Sequence, residues 1–236
     1  MNNFVILNGQ SSKDITGLII SSLPPITKPL MRTNIETIDG RDGDIVTKLG
    51  YSAYDKTIKI GLYGDFDIDD VITFFNSDGQ VIFSNEQDKY YNYQILDQID
   101  YERLLRFKTA DITLHCQPFK YSSVEGVKTF TITNETSINI RNNGNYIAKP
   151  IITITGTGTI NLSLNNHQIF VIDLSEDTQI TIDTNLMDAY NPSTQSLMNR
   201  VVTGDYDKFA LNVGTNTISW AGTISQIDIK NFSRWL

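Results

Sequence analysis

Few side chains in this chain of 236 residues could act as a nucleophile, a general base or a soft metal ligand. The two histidines are His115, within an alternating strand pattern, and His167, directly after an Asn-Asn turn signal. Cys116 is the single cysteine, which excludes an internal disulfide and a CxxC site. A GxSxG elbow, an HExxH pair and a glycine-rich phosphate loop are all missing from the sequence.

These observations predict no catalytic residue, no metal ligand and no cofactor, so we expect a protein that is not an enzyme. A glycosidase that uses two carboxylates needs no sequence motif, and hydrolysis stays open as an alternative on that ground alone. Most Asp and Glu residues fall in turns and helix caps, which gives this alternative no positive support.

The densest turn chemistry lies between residues 38 and 44, where two Asp-Gly steps separate two extended runs. Glycine reaches positive φ without steric cost, and aspartate accepts hydrogen bonds from the backbone ahead of it. A plain hairpin needs only one such step, so the surplus predicts a loop of defined shape that is presented to another molecule. An ordinary solvated turn is the alternative, and calcium binding is disfavoured because the EF-hand ligand pattern is absent. The candidate assembly loop consists of Asp39, Gly40, Arg41, Asp42 and Gly43.

The overall charge disfavours some partners. A net charge of −8 and a pI near 4.7 argue against specific nucleic-acid binding, which needs clustered Lys and Arg. The N-terminal run from Phe4 to Leu7 is too short for a signal peptide or a membrane span. We therefore expect assembly in the cytoplasm and no membrane insertion.

Residues 1–125 predict an α+β module, a mostly antiparallel sheet with one helix. The helix begins at Asp67, a good N-cap, and its apolar residues recur at helical spacing from Ile68 to Phe75. A long strand is predicted over residues 103–117, ending at Pro118.

Residues 126–236 are rich in Thr, Ile, Asn and Gly and alternate apolar with polar residues. About eight short strands in about 110 residues predict an all-β sandwich of jelly-roll type. Such a sandwich could also bind carbohydrate through stacked aromatic rings. The candidate rings are those of Tyr146, Tyr190, Tyr206, Trp220 and Trp235, although Trp220 is expected in the core.

An ordered set of motifs resembles the distal tail (Dit-like) proteins of siphophages, the long non-contractile-tailed phages of Gram-positive bacteria. The resemblance covers nearly the full length, and one departure is Phe209-Ala210, where a Phe-Pro pair is expected. In the first module the motifs are Phe4 to Gly9, Gly17-Leu18, Pro24-Pro25-Ile26, Ile38 to Gly43, Phe83-Ser84 with Asp88 and Tyr90, and Cys116 to Tyr121. In the second they are Asn143-Gly144, Ala148-Lys149-Pro150, Gly156-Thr157-Gly158, Gly204-Asp205-Tyr206, Gly214 to Trp220, and Asn231 to Leu236.

The resemblance implies a structural protein of the virion, located at the phage tail tip or baseplate. It implies a ring, typically a hexamer, that the first module builds and through which DNA passes. Its expected partners are the major tail-tube protein above and a tail-tip protein below. The second module is expected to be galectin-like or similar to a carbohydrate module, and to hold a receptor-binding protein. The alternative function is a protein that recognises host cell-wall glycan through residues 126–236.

Overall fold

The chain is mostly antiparallel β-sheet and divides into two compact units. The computed structural model describes residues 3–230 and 233–236. The first unit ends at Ser123 and includes Leu236, and the second runs from Val124 to Trp235. Asn231 and Phe232, which belong to the C-terminal motif quoted above, lie outside the described residues, as do Met1 and Asn2.

The main sheet of the first unit has the strand order β2-β1-β7-β8-β9-β6-β3. Every pairing along it is antiparallel, as the alternation in the sequence predicts. The strands are β1 (Val5–Leu7), β2 (Gln10–Ser11), β3 (Leu18–Ser22), β6 (Tyr54–Leu62), β7 (Gly79–Phe83), β8 (Lys89–Gln94) and β9 (Thr109–Ser122).

Two helices, rather than the single predicted one, contribute to the core beside this sheet. Helix α1 (Ile68–Phe74) begins as predicted, with the Asp67 side chain accepting a hydrogen bond from the Asp69 amide. Helix α2 (Tyr101–Phe107) occupies the start of the segment predicted as strand, which is a correction. Its cause is local: the Asp100 carboxylate caps the first turn by accepting from the Arg103 amide at 2.8 Å. Lys108, in the left-handed region at φ 59°, ends the helix.

Strand β9 also continues through Pro118, where the sequence pattern predicts its end. The register between β8 and β9 shifts just here, since Tyr91 lies opposite Lys120 while Tyr93 lies opposite Cys116. At a bulge one residue is left out of the hydrogen-bond ladder, so its amide donor is not required. The bulge therefore accommodates Pro118.

The second unit contains a single antiparallel sheet with a long apolar core. Its strands are β10 (Lys128–Thr131), β11 (Ser137–Asn142), β12 (Ile151–Leu164), β13 (His167–Leu174), β14 (Gln179–Asp183), β15 (Asp188–Tyr190), β16 (Val202–Gly204) and β17 (Gly214–Lys230). The short strand β18 (Arg234–Trp235) does not belong to this sheet.

Strands β12 and β17 each replace two of the short strands that the sequence predicts. The predicted breaks fall at glycines, but the chain bends there and stays paired, with register shifts between the two strands. Gly222 has φ 114°, and a Cβ on it would lie 2.4 Å from the Thr159 carbonyl oxygen. The glycines therefore allow the sheet to fold over its own core, in place of separate strands.

Candidate assembly hairpin

The predicted Asp-Gly reversal joins two strands that form a sheet of their own, β4 (Met31–Thr37) and β5 (Asp44–Tyr51). The strands pair from Met31 opposite Tyr51 to Thr37 opposite Asp44. Within the described part of the chain, no further strand pairs with either of them. We refer to residues 31–51 as the hairpin.

The tip of the hairpin has a defined backbone. Gly40 and Gly43 both lie in the left-handed region, at φ 79° and 78°, as two consecutive tight turns require. The Arg41 amide donates to the Ile38 carbonyl at 3.1 Å, and the Thr37 hydroxyl donates to the Asp44 carboxylate at 3.0 Å. The five residues of the candidate assembly loop thus share one exposed turn, and their role stays a prediction.

Arg41 lies in sequence between the carboxylates of Asp39, Asp42 and Asp44. Its guanidinium makes no ion pair with any of residues 3–230 or 233–236. The tip therefore presents three separate carboxylates and one guanidinium to the surroundings.

Large apolar side chains along the hairpin are also exposed. Ile35 and Val46 lie opposite each other and are 59% and 54% exposed. Leu30, Ile38 and Leu49 are exposed as well. An isolated two-stranded hairpin is marginally stable in water, and its two free edges are ready to pair with another chain. The hairpin has the composition of an element that is covered by a partner.

The base of the hairpin is closed by hydrogen bonding and ring contacts. The Ser52 amide donates to the Leu30 carbonyl at 2.8 Å. The Tyr51 ring meets the edge of the Phe119 ring with centroids 5.9 Å apart. The hairpin is therefore attached to the main sheet at its root, and most residues of its two strands are exposed.

A buried charged cluster lies beside this root, and the sequence reading missed it. Lys120 in β9 donates to the Glu86 carboxylate at 2.9 Å, and the Tyr91 hydroxyl donates to its other oxygen at 2.8 Å. Lys56 in β6 is buried nearby, with its ammonium 4.9 Å from the ring centroids of both Tyr54 and Tyr91.

A signal for this cluster exists in the sequence. Lys56 occupies the same side of its strand as Ile58, Ile60 and Leu62, so period-two alternation places it on the core face. A lysine at an apolar position of a strand is a reason to look for a buried acceptor.

Burial changes the acid-base chemistry of the cluster. It raises the pKa of the Cys116 thiol to about 12 and that of the Tyr54 hydroxyl to about 12. It lowers the pKa of Lys56, an effect that the nearby Cys116 and Glu86 oppose and that Lys120 reinforces. The Tyr54 hydroxyl has no hydrogen-bond partner within the described ranges.

The Cys116 thiol predicts a loss of stability in alkali. It stays neutral in the folded protein up to its raised pKa, whereas an unfolded thiol ionises from about pH 9. The wild-type free energy of unfolding should therefore fall relative to Cys116→Ala by about 1.4 kcal/mol per pH unit above pH 9. Urea unfolding followed by circular dichroism measures this difference. Trp220 fluorescence, in a Trp235→Phe background, reports the second unit separately, because Trp220 belongs to the apolar core of that unit.

Equal pH slopes for the two proteins above pH 9 would contradict the assignment of a buried, neutral thiol. Lys56 is present in both proteins, and it affects the free energy of unfolding in the opposite direction. The cost of burying its protonated ammonium is relieved as pH rises, and this contribution is common to both proteins.

The two histidines belong to different units. His115 pairs through Nδ1 with Asp55 at 2.8 Å on the exposed face of the main sheet. His167 starts β13, directly after Asn165 and Asn166, both in the left-handed region. Among residues 3–230 and 233–236, no group of three or more His, Cys, Asp or Glu is arranged to hold a metal ion.

The aromatic residues considered for sugar stacking in the second unit are largely engaged elsewhere. Trp220 is buried, and Tyr206 packs edge-on against the buried Phe170 with centroids 5.1 Å apart. The Tyr146 ring lies 5.3 Å from the Arg234 guanidinium. A surface cavity of about 480 Å³ is lined by Asp173, Ser175, Glu176, Asp177, Ser196, Leu197, Met198, Arg200 and Val201, a set without an aromatic residue.

No helix in the described part of the chain is long and apolar enough to span a membrane. No protein-family model and no curated protein sequence matches the chain.

Two solved structures are similar to the chain over almost its whole length. One is the Dit (gp 19.1) protein of SPP1, described as a paradigm of the hub adsorption apparatus in phages that infect Gram-positive bacteria. It matches with a TM-score of 0.64 and 15% identity, over 98% of this chain and 100% of that one. The other belongs to the baseplate of phage P2 in its activated conformation with Ca, with a TM-score of 0.54, 12% identity and 98% coverage of both chains. The chain therefore has the β-rich fold of phage hub and baseplate proteins, as its motifs predict.

Proposed function

We propose that the chain is a structural protein of a siphophage tail tip, which forms a ring of six copies between the tail tube and the tail-tip and receptor-binding apparatus. The observation that carries this proposal is the exposed apolar hairpin on a fold shared end to end with a phage hub protein. DNA passes through the ring, and the protein is assembled in the host cytoplasm before it becomes part of the virion.

In this proposal the α+β module of residues 1–125 builds the ring, and the hairpin docks on the next copy. Head-to-tail contacts close into a ring when each copy uses one surface as donor and another as acceptor. A protruding element with two free strand edges and apolar side chains on its surface suits the donor role. The major tail-tube protein and a tail-tip protein are the partners on either side.

The galectin-like sandwich of residues 126–236 lies on the outside and holds receptor-binding proteins. Glycan recognition by this module is less supported, because Trp220 and Tyr206 are packed in or against its core.

The mass of the protein in solution tests directly whether it forms a ring. Light scattering of the purified protein across a range of concentrations should give six times the 26.6 kDa chain mass, or twice that for stacked rings. A monomer at every concentration, also in the presence of the tail-tip protein, would overturn ring formation. The glycan-binding alternative would then be tested on the full chain by calorimetry with cell-wall fragments.

A further inference from the structure

The segment that leads into the hairpin is held by side chains instead of by a strand ladder. Residues 23–30 join β3 to β4 and contain Pro24, Pro25 and Pro29. Proline has no amide donor and cannot take part in a regular ladder. The backbone of the three prolines can therefore be fastened only through carbonyl oxygens.

Two of these carbonyl oxygens accept hydrogen bonds from the body of the first unit. The Lys56 ammonium donates to the Pro25 carbonyl at 3.1 Å, and the Asn85 side-chain amide donates to the Pro24 carbonyl at 3.2 Å. Pro24 is itself buried. The connector is thus fixed at two successive residues.

Lys56 connects the two segments of the chain that flank the hairpin. Its backbone belongs to β6, which follows the hairpin after Ser52 and Ala53, while its side chain holds the connector that precedes the hairpin. One side chain therefore links the incoming and outgoing segments of the hairpin, just below the hydrogen bond from Ser52 to Leu30.

The buried ammonium that makes this link lowers the stability of the fold. Lys56 is 3% exposed, and the one buried carboxylate of the cluster, Glu86, is already bonded to Lys120 and Tyr91. A buried cation without its own counter-ion costs stability, and an apolar residue of similar length at the same place is often neutral or stabilising. The lowered pKa of Lys56 is consistent with this cost. Since Lys56 lowers the stability of the fold, its presence is better explained by another role.

We infer that Lys56 is a positioning residue that fixes the direction of the hairpin relative to the main sheet. This inference rests on the proposed function, in which the hairpin must reach the next copy at a set angle. A hairpin that pivots at its root loses orientational entropy on docking, so a fixed root raises the affinity of assembly.

Lys56→Met tests the inference, because methionine keeps much of the length of the side chain and removes the donor. Spin labels at Arg41→Cys on the tip and Lys59→Cys on the main sheet, in a Cys116→Ala background, report the distance between hairpin and sheet. Lys56→Met should at least double the width of this distance distribution and reduce ring formation at least tenfold. Melting should show that the variant stays folded.

Two further variants show whether the broadening comes from the loss of the connector contacts. Lys120→Met removes a buried lysine whose ammonium bonds Glu86, so it should lower stability and leave the distance distribution narrow. Asn85→Ala removes the second fastening from an exposed residue, and it should broaden the distribution even if Lys56→Met folds poorly.

An unchanged width in both Lys56→Met and Asn85→Ala would overturn the inference, whatever the state of assembly. Failure of the wild-type chain to form rings would instead contradict the proposed function. The distance measurement needs no ring, so the two failures are distinguishable.

Discussion

Replacing Ile35 and Val46 together by aspartate should abolish ring assembly and leave both units folded. The two side chains are opposite each other on one face of the hairpin, and both are more than half exposed in the single chain. Buried in a contact with the next copy, each carboxylate would lose its hydration without gaining a partner. We expect the concentration needed for assembly to rise by at least about 100-fold, a change of about 3 kcal/mol.

Light scattering and sedimentation give the mass of the variant, and circular dichroism its fold. Exposed surface substitutions usually change the free energy of unfolding by about 0.5 kcal/mol or less, so the melting of the isolated chain should hardly move. The matched control is Leu186→Asp with Leu197→Asp, two equally exposed leucines of the second unit. This control should assemble like the wild type.

Opposed aspartates also repel each other across the hairpin, by about 1 kcal/mol at most. The variant Ile35→Thr with Val46→Thr separates this effect from lost docking, because threonine is neutral and favours strands. It should weaken assembly by an intermediate amount. Assembly of the aspartate variant at wild-type concentrations would show that the hairpin does not mediate the ring contact.

Much of this hairpin could be predicted from local chemistry. The Asp-Gly steps determine where the chain reverses, since glycine suits the left-handed conformation that both Gly40 and Gly43 adopt. Its isolation from the main sheet is a matter of tertiary pairing, and no local pattern shows it.

The errors elsewhere have similar causes. The sequence pattern predicts strand where helix α2 begins, because the short apolar run there fits the period of a helix as well as that of a strand. The Asp100 side chain caps the first turn and favours the helix. The long strands β12 and β17 were divided at glycines, which read as breaks in sequence but act as bends where a partner strand supplies the hydrogen bonds. The contacts of Lys56 depend on Pro25, 31 residues away, which alternation cannot identify.

Breaking the buried pair of Glu86 and Lys120 should strongly destabilise the first unit. Both side chains are about nine-tenths buried or more, and their charged atoms are 2.9 Å apart. Glu86→Gln leaves Lys120 as a buried cation without a counter-ion, while glutamine still offers an acceptor for the Tyr91 hydroxyl. We expect this variant to lose about 3–5 kcal/mol of unfolding free energy.

The combination with Lys120→Met identifies the cause of the loss. Glu86→Gln leaves Lys120 without its carboxylate, Lys120→Met leaves Glu86 without its hydrogen-bonded cation, and the double variant removes both members of the pair while Lys56 is unchanged. The double variant should therefore be more stable than Glu86→Gln alone, with a coupling energy of about 2 kcal/mol or more. Losses that simply add would contradict a buried, mutually compensating pair.

Accessibility of the Cys116 thiol during urea unfolding reports the first unit, because the thiol is fully buried in the fold. Trp220, in a Trp235→Phe background, reports the second unit, which should unfold as in the wild type. Asp207→Asn is the matched control, since Asp207 pairs with Lys149 at 3.1 Å on the surface of that unit. Because water screens such a pair, its loss should cost about 0.5 kcal/mol or less. The contrast between the two amide substitutions follows from burial alone, since both remove a carboxylate that pairs with lysine.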